Sequence, residues 1–144
     1  TVVSRVNLER LAANAREAAE QCGRLGVPEV REPLSLPALL AAWPAGRRLL
    51  LCAESGTAAP IAEALAAAPA GPWALLTGPE GGFDQSELDA LLDLPFVTPV
   101  GLGPRLLRAD TAALAALACW QAVLGDGRLR PPGNLLDLLS RSNA

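Results

Sequence analysis

An open, mainly parallel α/β sheet with helices on both faces is the fold class this sequence predicts. Two observations lead there. Short runs rich in Leu, Val and Trp lack polar/apolar alternation, as strands covered on both faces do. Each run is followed by a loop bearing Gly or Pro and then by a segment with helical spacing. The composition also suits a packed core, since 51% of the 144 residues are hydrophobic and only 19% are charged. That balance argues for a single compact domain, expected over residues 1–125, and against disorder.

The elements follow in chain order. Residues 1–6 are short and β-branched and read as a strand. Asn7 then caps a helix reaching Cys22, with Leu11, Ala15, Ala18, Ala19 and Cys22 on one face, and Gly23 and Gly26 stop it. Residues 27–32 are expected to hold another short strand, and Ser35 to cap a brief helix ending at Trp43. Residues 48–53 form an unbroken apolar run after Arg48 and predict a buried strand. Glu54, Ser55 and Gly56 follow as a loop, then a helix to Ala68 with Pro60 tolerated in its first turn. Residues 73–76 predict the next buried strand, and Asp84 with Glu87 have capping-box spacing for a helix to Leu92. Residues 96–100 predict the last strand and residues 111–124 the last helix, with Gly125 as its stop. Residues 126–144 read as a polar tail carrying Pro131 and Pro132.

Two loops in this pattern point to a ligand site. The first is Thr77-Gly78-Pro79-Glu80-Gly81-Gly82-Phe83, and the second is Gly101-Leu102-Gly103-Pro104-Arg105-Leu106-Leu107-Arg108-Ala109-Asp110. Glycine admits positive φ and close approach of backbone to ligand, so two such loops at strand ends make a wall for a flat polar molecule. Neither suits a phosphate, because the first lacks the Lys-Ser/Thr of a P-loop and the spacing of a dinucleotide fingerprint, and its central acid repels a pyrophosphate. Taken alone, Gly-Pro-Glu-Gly-Gly is also compatible with a plain tight turn.

Composition narrows the chemistry further. There is no histidine, so histidine general bases and histidine-containing zinc sites are excluded, and no metal is expected. Cys22, Cys52 and Cys119 are far apart and odd in number, which argues for buried free thiols in a reducing compartment. No apolar run is long enough to cross a bilayer, and nothing at the start resembles a secretion signal, so a cytoplasmic location is expected. The net charge of −3 speaks against a nucleic-acid partner, although all 12 basic residues are Arg.

The two loops carry a family resemblance. Thr77-Gly-Pro-Glu-Gly-Gly-Phe with Glu87, followed by Gly101-Leu-Gly-Pro-Arg-Leu-Leu-Arg-Ala-Asp-Thr-Ala, resembles the bacterial 16S ribosomal RNA uridine-N3 methyltransferases of the SPOUT superfamily. Glu9-Arg10-Leu11, the run Glu17 to Arg24 and Val27-Pro28-Glu29 resemble a third block of that family. The resemblance implies a domain with a C-terminal trefoil knot, S-adenosylmethionine as cofactor, 16S ribosomal RNA of the small subunit as partner, and a homodimer. It also implies that the chain lacks the family's first strand-helix unit and its N-terminal β-barrel RNA-binding domain. The Ala-rich stretch of Ala112, Ala113, Ala115, Ala116 and Ala118 then serves either a dimer interface or helix propensity alone.

Methyl transfer to a base nitrogen is an in-line displacement that requires positioning and an acceptor made nucleophilic. By the resemblance, Arg108, with Arg105 as alternate, is expected to stabilise the uridine ring as N3 loses its proton, because a guanidinium fork supplies directed donors. Pairing of Arg108 with Asp110, or capping, is the competing role. Asp110 is expected as a catalytic residue beside the two arginines, and it stands where the family has Glu, as Ala109 does where it has Thr. Leu51, Cys52, Ala53, Thr77, Gly78, Pro79, Glu80, Gly81, Gly82, Val100, Leu102, Gly103, Leu106 and Leu107 are expected to line the cofactor, with Gln21 and Arg24 near the cleft. Two other functions fit the same fold: a non-catalytic dimerisation or cofactor-sensing module, and a methyltransferase acting on transfer RNA.

Overall fold

The computed structural model of the protein describes residues 6–53 and 58–130. The chain divides into two compact units, Thr1–Ala45 and Gly46–Ala144. In the first unit, helix α1 spans Leu8–Gln21, and Asn7 Oδ1 accepts the Arg10 N–H at 2.9 Å as its cap. Its sheltered positions are Leu8, Ala12, Ala13, Ala15 and Ala19, of which only Ala19 is fully buried. Leu11, Ala18 and Cys22 are exposed, so the apolar stripe lies about one position away from the expected one. Gly23 ends the helix at φ +65°, a conformation that costs a residue with a Cβ. The strand expected over residues 27–32 does not form. Among the described residues that run meets no partner strand, and it carries the ion pair of Arg31 with Glu29 at 2.8 Å, two residues apart on an exposed segment. Helix α2, Leu36–Ala41, follows with Ser35 as its cap. Apart from irregular Val6, the strand expected over residues 1–6 lies outside the described residues, as do Glu54, Ser55, Gly56 and the two tail prolines.

The second unit is a four-stranded sheet. Its strands are β1 (Arg48–Cys52), β2 (Ala59–Pro60), β3 (Trp73–Thr77) and β4 (Val97–Gly101), in the order β2-β4-β1-β3. All pairings are parallel. The chain alternates these strands with helices α3 (Ile61–Ala66), α4 (Gln85–Leu92) and α5 (Ala109–Val123). Pro60 ends β2 and caps α3, so it precedes the helix rather than standing in its first turn. The strand-end differences from expectation are one residue each, within the fraying of any boundary.

Alternation within β1 explains the core. Leu50 joins Ile61, Leu65, Val100 and Ala116 in one buried cluster, with Cys52, Trp73, Leu75, Leu102, Cys119 and Trp120 packed against it. Leu49 and Leu51 point to the opposite face and are also buried, at 2% and 0% exposure. Helix α4 packs against β4 and buries Leu91 completely. Burying a Leu or Val side chain of this kind contributes about 1.5–3 kcal/mol. Helix α5 crosses α3 and β3, and Ala116 is the fully buried contact. The small side chain there serves close approach within the protomer, where a Cβ-sized residue lets the helix sit on the sheet.

Local hydrogen bonding sets the helix ends. Asp84 accepts the Glu87 N–H at 2.8 Å while Glu87 accepts the Asp84 N–H at 3.1 Å, a complete capping box. The Ser86 hydroxyl and then the Glu87 N–H hold the Asp84 carboxyl below the usual aspartate range. After α5 the chain turns through a short 3₁₀ helix at Asp126–Arg128, where Gln121 accepts the Asp126 N–H at 3.0 Å. Gly125 and Gly127 fit against Gln121 because a Cβ at either position would overlap it. Among the described residues, no helix is long and apolar enough to cross a membrane.

Candidate functional site

One rung of the sheet forms the base of the site. Thr77 of β3, Cys52 of β1 and Val100 of β4 are neighbours in register, with Ala59 of β2 beyond Val100. Adjacent strands lie about 4.8 Å apart, so the span from Thr77 to Val100 is about 10 Å, enough for a nucleoside lying across three strands. Because all strands are parallel, their following loops emerge at the same edge. This is where ligands of open α/β sheets bind.

A cleft of about 1020 Å³ opens there. Its walls are the loop after β3, from Thr77 to Phe83, and the loop after β4, from Gly101 to Arg108, closed by Ala53, Ala58, Pro60, Leu88, Ala109 and Ala112. In the first loop the Gly82 N–H bonds the Pro79 carbonyl at 2.8 Å, and Gly82 takes φ +71°. In the second, Gly103 takes φ +104°. A Cβ added at Gly81, Gly82 or Gly103 would meet no atom within 4 Å, so open space lies beside these backbones. Gly78 differs: a Cβ there would sit 3.1 Å from the Phe83 ring, so the ring lies close over this glycine and would have to shift for a larger residue.

The charges divide between the walls. Glu80 is the charged residue of the first wall, and Arg105 and Arg108 are those of the second. Arg108 has an exposed side chain whose Nε stands 3.7 Å from Asp110 Oδ1. At the base, burial and then the neighbouring Cys119 push the Cys52 thiol up to about 11. A thiol so raised is protonated at neutral pH and is a poor nucleophile. Among the described residues, no group of three His, Cys, Asp or Glu side chains is placed to hold a metal ion.

The structure brings together all the expected cofactor-lining residues except Leu51, along with Arg105 and Arg108. Leu51 is fully buried, and alternation along β1 turns it away from the face Cys52 shares. Asp110 lies in the first turn of α5 and outside the lining. Gln21 and Arg24 are exposed residues of the first unit. Sequence reasoning missed Ala58 and Pro60, which β2 brings in by pairing with β4, and Leu88, one helical turn after the Asp84 cap. Phe83 closes the first glycine loop, and its ring lies over Gly78.

A family model described as an RNA methyltransferase domain matches residues 2–121 of the chain. The chain belongs to this RNA methyltransferase domain family. Among curated relatives it is 41% identical over 114 residues to ribosomal RNA small subunit methyltransferase E of Mycobacterium tuberculosis, covering 76% of the chain and 42% of that protein. It is 36% identical over 115 residues to the Bacillus subtilis protein of the same name, covering 76% and 44%. The chain therefore spans less than half the length of these curated relatives. A solved Legionella pneumophila protein assigned as a methyltransferase, with bound cofactor SAM, is similar at TM-score 0.62 and 32% identity. That match covers 82% of this chain and 50% of the Legionella one. This RNA methyltransferase domain places both of its glycine loops on a single cleft.

Proposed function

We propose that this chain transfers a methyl group from S-adenosylmethionine to N3 of a uridine in 16S ribosomal RNA. The observation that carries the reading is the convergence, at the ends of β1, β3 and β4, of two glycine-walled loops and a pair of arginines in one cleft. The names of the curated relatives and the SAM-bound Legionella structure support it. The residues fit the cofactor. Glycine backbones with open space beside them offer N–H and C=O groups to a nucleoside, and Glu80 suits a ribose hydroxyl or the positive sulfonium. The loop from Thr77 to Phe83 carries an acid and no basic residue of its own, which disfavours a phosphorylated ligand against it.

S-adenosylmethionine supplies an electrophilic methyl carbon when bound. The chain's own residues do the rest. The glycine loops would hold the donor at the strand ends, and Cys52, as a neutral thiol beneath, would add no competing nucleophile. Arg108 acts on the acceptor: loss of the N3 proton to solvent water spreads charge over the flanking carbonyl oxygens, and the guanidinium stabilises it through directed donors. Arg105 lines the same cleft as a second cation.

Further parts of the reading rest on the same resemblance. We assign residues 1–125 to the methyltransferase domain, with the trefoil knot that the family resemblance implies. A crystal structure of the ligand-bound protein would show the threading or its absence. We place the protein in the cytoplasm and assign it a homodimer through the outer side of α5, where Leu114 and Leu117 are 70% and 49% exposed.

Titration calorimetry tests the donor, and methyl transfer to small-subunit RNA tests the reaction. Arg108→Ala should lower turnover on the order of 100-fold to 1000-fold, as loss of one preorganised donor does. Donor affinity should be unchanged, since the interaction is made only with the acceptor. Absence of S-adenosylmethionine binding would remove the assignment. Donor binding without transfer to any RNA would leave a cofactor-sensing module, and transfer to transfer RNA alone would change the substrate.

A further inference from the structure

Arg108 and Asp110 differ in how firmly they are held. Asp110 Oδ1 accepts the Thr111 N–H at 2.8 Å and the Thr111 hydroxyl at 3.4 Å. It also lies in the first turn of α5, where the helix dipole favours a carboxylate. Arg108 is the last residue before the helix, with no capping hydrogen bond from its side chain and 83% of that side chain exposed. A long exposed arginine samples many rotamers, and an anchored partner narrows them. The contact is at Nε and, at 3.7 Å, is an ion pair rather than a hydrogen bond. A guanidinium approached at Nε keeps its terminal nitrogens for a second planar acceptor.

We infer that Asp110 is a positioning residue: it holds the Arg108 guanidinium by its Nε edge so that the terminal nitrogens face an acceptor in the cleft that Asp110 itself does not line. This rests on the methyl-transfer reading above, within which it assigns Asp110 a role through Arg108 and none in contact with substrate. Two physical effects oppose one another. The Asp110 charge weakens the field of Arg108 on an anionic uridine, so pure electrostatics predicts a faster Asp110→Asn variant. Orientation predicts a slower one, because misplacement of a catalytic group is costly.

Asp110→Asn is the informative change, since its amide oxygen still accepts the Thr111 N–H while the charge is gone. Single-turnover methyl transfer to small-subunit RNA should fall about fivefold, the upper end for an exposed ion pair. Affinity for S-adenosylmethionine should be unchanged. In an Arg108→Ala background the same substitution should have no further effect, because residues acting through one another are non-additive. A faster or unchanged Asp110→Asn enzyme, or an equal loss in the Arg108→Ala background, would overturn the inference. A second readout needs no activity. In the ligand-free protein, nitrogen relaxation of the Arg108 Nε–H should show a restrained group that becomes mobile in Asp110→Asn. Equal mobility in both proteins also overturns the inference. If the unaltered protein methylates no RNA, the proposed function falls, and the relaxation measurement still decides whether Asp110 holds Arg108.

Discussion

Leu51→Ala separates a core residue from a cofactor contact at a position where sequence and structure disagree. Leu51 sits in the middle of the sheet, in register with Leu76 of β3 and Pro99 of β4, and is 0% exposed. Truncating a buried Leu to Ala costs about 2–5 kcal/mol, from lost transfer energy and the cavity left behind. A rigid rung between two strands collapses poorly, so about 3 kcal/mol is the expected loss, a large share of the roughly 5–15 kcal/mol that holds a domain together. Urea unfolding followed by fluorescence of Trp73 and Trp120 reads it. With a slope of about 1–3 kcal/mol per molar urea, the midpoint should fall by about 1–3 M at unchanged slope. Below the transition, S-adenosylmethionine should bind the variant as tightly as the unaltered protein, because Leu51 faces away from the cleft. An unchanged midpoint with donor affinity weakened tenfold or more would refute the assignment of Leu51 to the far face.

Two further outcomes follow from the same structure. The Cys52 thiol, raised from its ordinary value of 9.0 to about 11, favours the folded state while it stays protonated, so its contribution is complete below pH 9 and is lost as the pH rises through 11. Thermal melting across that window should show an alkaline loss that Cys52→Ala reduces, and an identical loss in the variant would assign it elsewhere. Leu114→Glu should convert the protein to a monomer in light scattering while leaving the protomer folded by circular dichroism, because Leu114 is 70% exposed in the protomer. A monomer before substitution would remove the dimer.

What was legible in the sequence was local. Asn7, Ser35 and the Asp84–Glu87 pair set helix starts through hydrogen bonds spanning three residues, so spacing alone reveals them. The runs at β1, β3 and β4 show themselves by lacking alternation, since both faces of the sheet are covered. The two glycine loops announce themselves because few other sequences supply backbones of that freedom.

Tertiary structure decided what depends on partners distant in the chain. Residues 27–32 have strand-like composition but no neighbouring strand among the described residues, and a backbone without a ladder forms none. Ala59 and Pro60 form β2 because β4 lies beside them, a pairing that two residues cannot signal. The register of β1 turned Cys52 toward the cleft and Leu51 away from it, a choice between two faces that an unbroken apolar run leaves open. Ala116 shows the same limit. Its size was evident from the sequence, but only the packing of α5 on α3 and β3 assigned that small side chain to the protomer's own core.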